Sequence, residues 1–233
     1  MVKLNERLQV VADLIPVCDN FADIGTDHGY LPLYLLERHR IVRAYATDIN
    51  QGPLERGKKN ADKNQITTPI SFLLGNGLEP LRDKKIDVMS ICGMGGELII
   101  QILKKEPETA KKCEAIILQP NNEASRLRKF LRENGYVILE EALIKDRHLF
   151  YEIIKIKPSD GVVTNYDLLE NEVPINVREK YSDVLYEYLT YKIKVENNII
   201  KGCSCSDDNM AKTKMKAAEQ RKVYFQQKLK EMK

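Results

Sequence analysis

The chain has 233 residues, 43% hydrophobic and 30% charged, with a formal net charge of +3. This composition excludes a disordered chain and describes a globular protein long enough to bury a substantial core. No apolar run approaches the roughly 20 residues that span a bilayer, and Met1 to Arg7 lacks the apolar core of a signal peptide, so a cytoplasmic location is expected.

Five cysteines, Cys18, Cys92, Cys113, Cys203 and Cys205, form no disulfide framework in a chain of this size. Cys203-x-Cys205 lacks a further Cys or His close enough in sequence to complete a tetrahedral set, so ordinary thiols and no metal site are expected.

Leu4, Leu8, Val11 and Leu14-Ile15 fall on one helical face, which Pro16 ends. Phe21 to Ile24 then reads as a strand running into a glycine loop. Tyr30 to Arg38 is a helix, Arg43 to Asp48 a second strand, Leu54 to Asn64 a polar helix and Ile70 to Leu74 a third strand. Ile86 to Ile91 is nearly all apolar, as expected of a strand covered on both faces. A helix over Glu97 to Lys105, a strand over Ala115 to Leu118 and a helix over Glu123 to Asn134 follow, the last closed by Gly135 at a left-handed position. Tyr136 to Leu139 and Tyr151 to Ile156 supply two last strands. The short stretch between them suits an antiparallel pair. The expected fold is therefore α/β, with a mostly parallel sheet whose last strand is antiparallel.

After Pro158 the pattern changes. Val177, Tyr181, Val184, Tyr188, Tyr191 and Val195 step by four and three, and Met215, Ala218, Lys222, Phe225, Leu229 and Met232 repeat that spacing. Gly202-Cys203-Ser204-Cys205-Ser206 separates the two runs, and Asp207 or Asp208 is a candidate N-cap for the second. An antiparallel helical hairpin is predicted, with Lys222 the one ill-suited seam residue. Residues 209–233 carry eight Lys and Arg against two Glu, a net of +6, which leaves −3 on the rest. A basic tail on a mildly acidic body points either to a polyanionic partner or to a merely solvated helix face.

Chemistry concentrates at the ends of the first two predicted strands. Gly25 and Gly29 lie in a strand-to-helix turn, where glycines let backbone approach a ligand closely. Asp48 ends the next strand about 20 residues on, where a carboxylate can accept both hydroxyls of a ribose. The pair signals an adenosine-containing cofactor. A dinucleotide site would want Gly-x-Gly-x-x-Gly, whereas Gly25-Thr26-Asp27-His28-Gly29 lacks the middle glycine and sets a carboxylate where a phosphate would be repelled. S-adenosyl-L-methionine carries a sulfonium and an ammonium instead, which a carboxylate favours.

Asp23-x-Gly25-x-x-x-Gly29 resembles motif I of the class I methyltransferases. Gly75-Asn76-Gly77 resembles their adenine loop, and Gly93-Met94-Gly95-Gly96 lies where they face the methyl group and substrate. With Asp23 to Pro32, Ile91 to Gly96 and Leu118-Gln119-Pro120-Asn121, the chain is similar along essentially its whole length to the bacterial tRNA (adenine-N1)-methyltransferases that modify adenine 22. The resemblance implies a seven-stranded Rossmann-like catalytic domain over residues 1–158. It also implies a helical hairpin over 159–233 that binds tRNA. The implied cofactor residues are Asp23, Gly25, Thr26, Asp27, Gly29, Asp48, Ile49, Asn76, Gly77, Gly93 and Met94.

Adenine N1 has its own lone pair, so methylation needs no prior deprotonation and is mainly a matter of positioning. The base becomes cationic as the bond forms, and a nearby carboxylate stabilises it; Asp27 is the first candidate, with capping of the next helix as its alternative role. His28 either contacts the base or caps the same helix. Asn121 and Gln119 are candidates for hydrogen bonds to the flipped adenine edge, unless Pro120-Asn121 simply ends a strand. Tyr30 and Tyr151 are candidate stacking surfaces or core residues. Gly95 and Gly96 are candidates for substrate contact. Arg126, Arg128, Lys129 and Arg132 form a basic helix, with Arg126 and Lys129 the expected phosphate contacts. Competing functions are a small-metabolite methyltransferase and a non-catalytic RNA module that binds the same cofactor. The sequence does not fix the oligomeric state; a monomer is the expectation.

Overall fold

A computed structural model describes residues 1–161, 166–204 and 208–232. Seven strands form one sheet: β1 (Cys18–Ile24), β2 (Ile41–Asp48), β3 (Ile70–Leu74), β4 (Val88–Met94), β5 (Ala115–Pro120), β6 (Tyr136–Asp146) and β7 (Leu149–Pro158). Their spatial order is β3-β2-β1-β4-β5-β7-β6. The first five are parallel, and β7 runs antiparallel to both β5 and β6. The antiparallel strand is thus the last in sequence but not the edge, which is β6.

Apolar residues on both faces of the central strands explain the layering. Ala22, Ile24, Met89 and Ile91 face α4 (Gly96–Lys105) and α6 (Ala124–Glu133), which contribute Ile99, Leu103, Leu127 and Leu131. Phe21, Val88 and Ile117 face α1 (Glu6–Leu14) and α2 (Tyr30–Glu37), with Val11, Leu14, Leu33 and Leu35. The polar α3 (Gln51–Lys63) buries only Leu54, Gly57 and Ala61. Pro107–Lys111 forms a short α5 that the sequence pattern did not signal.

The β6–β7 hairpin is much longer than its apolar cores suggested, because most of Glu140 to Phe150, read from sequence as a connection, pairs as strand on either side of the Arg147-His148 turn. A register shift between Ile138 and Glu140 disguises the alternation and leaves Leu139 exposed. Glu141 then points inward, fully buried. Its partner is Arg128 on α6, also fully buried, whose Nε donates to Glu141 Oε1 at 2.7 Å. Arg128 Nη1 donates to Asn171 O at 3.1 Å, and Nη2 pairs with Glu152 on β7. Burial alone would push the Glu152 carboxyl up, but Arg128 and the Tyr188 hydroxyl outweigh it and hold it below the ordinary carboxylate value.

The C-terminal helices α7 (Ser182–Cys203) and α8 (Asn209–Glu231) pair with one another and pack on Leu143 and Phe150 of the β6–β7 hairpin. Asp208 caps α8 by accepting from Ala211 N; Asp207 lies outside the described residues, as does Cys205. The seam differs from the predicted one. Val177 bridges to Glu141 and Tyr181 joins the core of the body, both ahead of α7. Tyr188, Leu189 and Glu196 are the buried residues of α7, and Tyr191 is 48% exposed. Glu196 tolerates burial because Arg221 of α8 grips both its oxygens, at 3.0 and 2.8 Å. Lys222 is half-buried beside it. Among the described residues no helix is long and apolar enough to cross a membrane.

Candidate active site

The sheet order reverses between β1 and β4, and the loops leaving the C-terminal ends of β1, β2, β4 and β5 meet at that switch point. The β1–α2 loop turns through three left-handed residues, Gly25 (φ +71°), Asp27 (φ +51°) and Gly29 (φ +69°). Two glycines are free of steric cost there; Asp27 is not, which marks it as held by its surroundings.

The loop's amides are occupied within the fold. Gly25 N and Thr26 N both donate to Thr47 O, at 2.8 and 2.9 Å, and Asp27 N donates to Asp48 Oδ2 at 3.3 Å. The Asp27 carboxylate stands beside these amides and disfavours a pyrophosphate there.

Two cavities adjoin this loop. One, of about 370 Å³, is lined by Thr47, Asp48, Ile49, Asn76, Gly77 and Met94. The other, of about 350 Å³, is lined by Arg7, Asp23, Thr26, His28 and Tyr30. Gly25, Asp27, Cys92 and Gly93 border both. Asp48 accepts from Asn50 N at 2.9 Å and from Asp27 N, and a carboxylate has acceptor capacity beyond two bonds. Beside it, Thr47 Oγ1 is buried with no partner, a polar atom that a ligand hydroxyl or ring nitrogen can satisfy. Three carboxylates around two joined cavities suit a ligand with an adenosine at one end and cationic groups at the other. S-adenosylmethionine therefore fits the residues present.

Asp23 is a fixed element of this wall. Ser90 Oγ donates to one oxygen at 2.6 Å and Thr26 Oγ1 to the other at 2.7 Å. Burial pushes its carboxyl up against the pull of these two bonds. Burial, then the nearby Asp23, raise the Cys92 thiol far above its ordinary value, so it stays protonated.

Asp27 is 64% exposed at its side chain and lies beside two basic side chains. His28 Nδ1 lies 2.7 Å from its Oδ2 and Arg56 Nη2 3.4 Å from its Oδ1. The His28 ring stacks on Tyr30, with centroids 5.5 Å apart and planes 10° apart. The N-cap of α2 is Gly29, with no side-chain bond, so neither Asp27 nor His28 caps that helix. The capping alternatives fall, and Asp27, His28 and Tyr30 stand in contact with one another along the cavity.

At the end of β5, Gln119 is fully buried. Its Oε1 accepts from Gly93 N at 3.1 Å and from Arg7 Nη1, while Nε2 donates to Pro120 O at 2.9 Å and Asn121 Oδ1 at 3.2 Å. With its amide so committed, Gln119 cannot also read an adenine edge, contrary to the sequence expectation; it orients Asn121. The exposed Asn121 donates from Nδ2 to Gly93 O at 2.7 Å. Tyr151 is half-buried beneath Arg7, whose guanidinium carbon sits 5.6 Å from the ring centroid.

Several other expected contacts resolve differently. Gly29 borders neither cavity but packs against Gly57 and Phe72. Gly95 and Gly96 do not border them either. A Cβ on Gly96 would sit 2.8 Å from the carbonyl oxygens of Asn122 and Glu123, so this glycine permits backbone packing, not substrate contact. Arg128 and Arg132 turn inward, Arg132 onto Glu170 at 3.0 Å, so the α6 helix is not a uniformly basic face. Arg126 is exposed but paired with Glu97 at 3.0 Å, and Lys129 is exposed. Arg7, Thr47, Arg56 and Cys92 join the site without having been singled out in the sequence. Arg7 and Arg56 arrive from α1 and α3 with no motif to mark them, whereas Thr47 and Cys92 sit inside the segments already quoted around Asp48 and Gly93.

Residues 4–154 match the family described as Methyltransferase domain. The tRNA (adenine(22)-N(1))-methyltransferase of Bacillus subtilis is 36% identical over 159 residues, 68% of this chain and 67% of that protein. Among solved structures, Mycoplasma capricolum TrmK in complex with S-adenosyl-homocysteine superposes with a TM-score of 0.82 at 33% identity, covering 99% of each chain. The B. subtilis M1A22 tRNA methyltransferase TrmK gives 0.83 at 29% identity, covering 98% of this chain and all of that one. The fold, the two acid-lined cavities and these similarities converge: the chain belongs to the methyltransferase-domain family, and within it to the tRNA (adenine(22)-N1)-methyltransferases.

Proposed function

We propose how this chain performs the reaction of its family, methyl transfer from S-adenosylmethionine to N1 of adenine 22 in tRNA. The observation that carries the reading is the pair of joined, carboxylate-lined cavities with Asp27 on their shared border and Asn121 beside them. Asp48 binds the ribose hydroxyls, with Thr47 and Ile49 beside it, and Asn76 and Gly77 flank the adenine of the cofactor. Gly25, Thr26, Gly93 and Met94 surround its methionine end, and Asp23 holds Thr26 in place. When bound, S-adenosylmethionine supplies an electrophilic methyl group.

The chain's own residues position and stabilise the base. Its N1 lone pair needs no general base, so the demands are alignment and tolerance of the positive charge that forms. Asp27 faces that charge, and His28 and Arg56 fix the direction of its carboxylate. Asn121, oriented by Gln119 and Gly93, offers polar atoms to the base edge, and the exposed Tyr30 ring offers a stacking face. Residues 1–158 act as the catalytic domain and 159–233 as the tRNA-binding appendage, where exposed Lys214 and Lys216 of α8, together with Lys129, meet phosphates. We read the protein as cytoplasmic, where its tRNA substrate is found, and as a monomer.

The test is incubation with labelled S-adenosylmethionine and unmodified tRNA, followed by mapping of the product. Label at N1 of adenine 22 is expected, and label elsewhere or none on tRNA overturns the reading. Asp27→Asn keeps the shape and removes the charge; a fall in kcat of about 100- to 1000-fold is expected, the range seen when one charge-stabilising group is lost.

A further inference from the structure

A second groove opens on the far side of Asn121. Its cavity of about 400 Å³ lies between the β5–α6 loop, the β6–β7 turn and α7, and is lined by Asn121, His148, Phe150, Tyr188, Tyr191 and Lys192 among others. Three rings form one wall: the Phe150 centroid lies 5.3 Å from that of Tyr188 and 5.5 Å from that of Tyr191. Tyr188 is locked, since its hydroxyl donates to Glu152 at 2.7 Å. Tyr191 is half exposed although helical spacing placed it in a buried seam, so a large aromatic face is left open to the groove.

The polar lining selects the kind of occupant. Glu123, Glu152 and Glu172 border the groove, against Lys192 and His148, and Lys192 already lies 3.9 Å from Glu172. Arg128 already answers Glu152, and the remaining Glu123 and Glu172 outnumber Lys192, a lining that disfavours a phosphate. The carboxylates of Glu123 and Glu172 suit the N–H groups on a nucleobase edge, and the rings suit its face. Position selects further. Asn121 donates to the carbonyl of Gly93, which borders both cofactor cavities, so a single side chain separates this groove from the reaction site. Drawing an adenine out of its stack also frees the base next to it.

We propose that this groove holds an unpaired nucleobase flanking the target adenine, stacked on Tyr191. The inference rests on tRNA being the substrate. Tyr191→Ala removes the platform and is expected to raise KM for tRNA, and Kd for tRNA in direct binding, roughly 5- to 100-fold. Affinity for S-adenosylhomocysteine, measured by calorimetry, should stay as in the wild type. Tyr191→Phe keeps the ring and should rescue binding to within about 3-fold. Ala124→Trp leaves Tyr191 in place and fills the groove from the opposite wall; it should weaken tRNA binding to the same degree, and a preserved thermal midpoint shows that each variant is folded. Wild-type tRNA kinetics in both Tyr191→Ala and Ala124→Trp overturn the proposal, as does a Phe variant no better than Ala. Failure of the wild-type protein to methylate tRNA overturns the functional reading instead, so the two failures are distinguishable.

Discussion

Arg128 ties α6 to both strands of the β6–β7 hairpin and to the segment around Asn171, and Arg128→Met tests what that tie contributes. In the wild type a fully buried guanidinium faces Glu141, itself fully buried, and Glu152, while bonding Asn171 O at 3.1 Å. Met fills most of the volume but leaves two carboxylates with no counter-charge. Removing one partner of a buried ion pair typically costs about 3–5 kcal/mol, because the remaining charge cannot regain its hydration. For a chain of this size each kcal/mol moves the midpoint by about 2–4 °C, so a fall of roughly 6–20 °C is expected in a thermal melt. Arg128→Lys keeps the charge but cannot span both carboxylates and the carbonyl, and should fall between Met and wild type. Arg128→Met/Glu141→Gln removes one of the stranded charges and should recover part of the stability. A midpoint within about 2 °C of wild type for Arg128→Met, or equal destabilisation in all three variants, would refute the reasoning.

Glu152 gives the cluster a pH dependence. Its folded-state pKa lies below the ordinary value of 4.5, so the stability it contributes is present above that value and lost as pH falls through the folded one. Glu152→Gln should be less stable at neutral pH and lose less stability on acidification; parallel acid-unfolding curves would argue against this. Asp48→Asn should weaken S-adenosylhomocysteine binding by about 10- to 100-fold, the worth of hydrogen bonds to a charged acceptor, and should also lower the melting temperature, because its amide nitrogen cannot accept from Asp27 N or Asn50 N; calorimetry reads both. Affinity for tRNA should fall steeply with salt, and Lys214→Glu/Lys216→Glu should reduce the slope of log K against log salt by about one for each phosphate no longer neutralised. An unchanged slope would exclude both lysines from the tRNA interface.

The seven strands, their mostly parallel arrangement and the cofactor loop were legible in the sequence because each rests on local chemistry. Doubly apolar strands must be covered on both faces, and Gly25 followed by Asp48 at the end of the next strand marks the switch point. What stayed hidden depends on partners far away in the chain. Glu140 and Glu141 read as a polar connection because nothing nearby reveals Arg128, whose charge lets Glu141 turn inward. Tyr191 has seam spacing, but Phe150 and the β6–β7 turn draw its ring to an open groove, while Glu196 takes a buried place because Arg221 stands across from it. Gln119 and Asn121 looked equivalent as readers of a base; burial and the reach of Arg7 made one a support and left the other exposed. The sequence by itself determined the reaction's cofactor loop and the order of elements, because periodicity and turn chemistry act over a few residues. Only the tertiary structure decided which polar side chains face ligand and which face each other, because burial and ion pairing are properties of residues brought together across the whole fold.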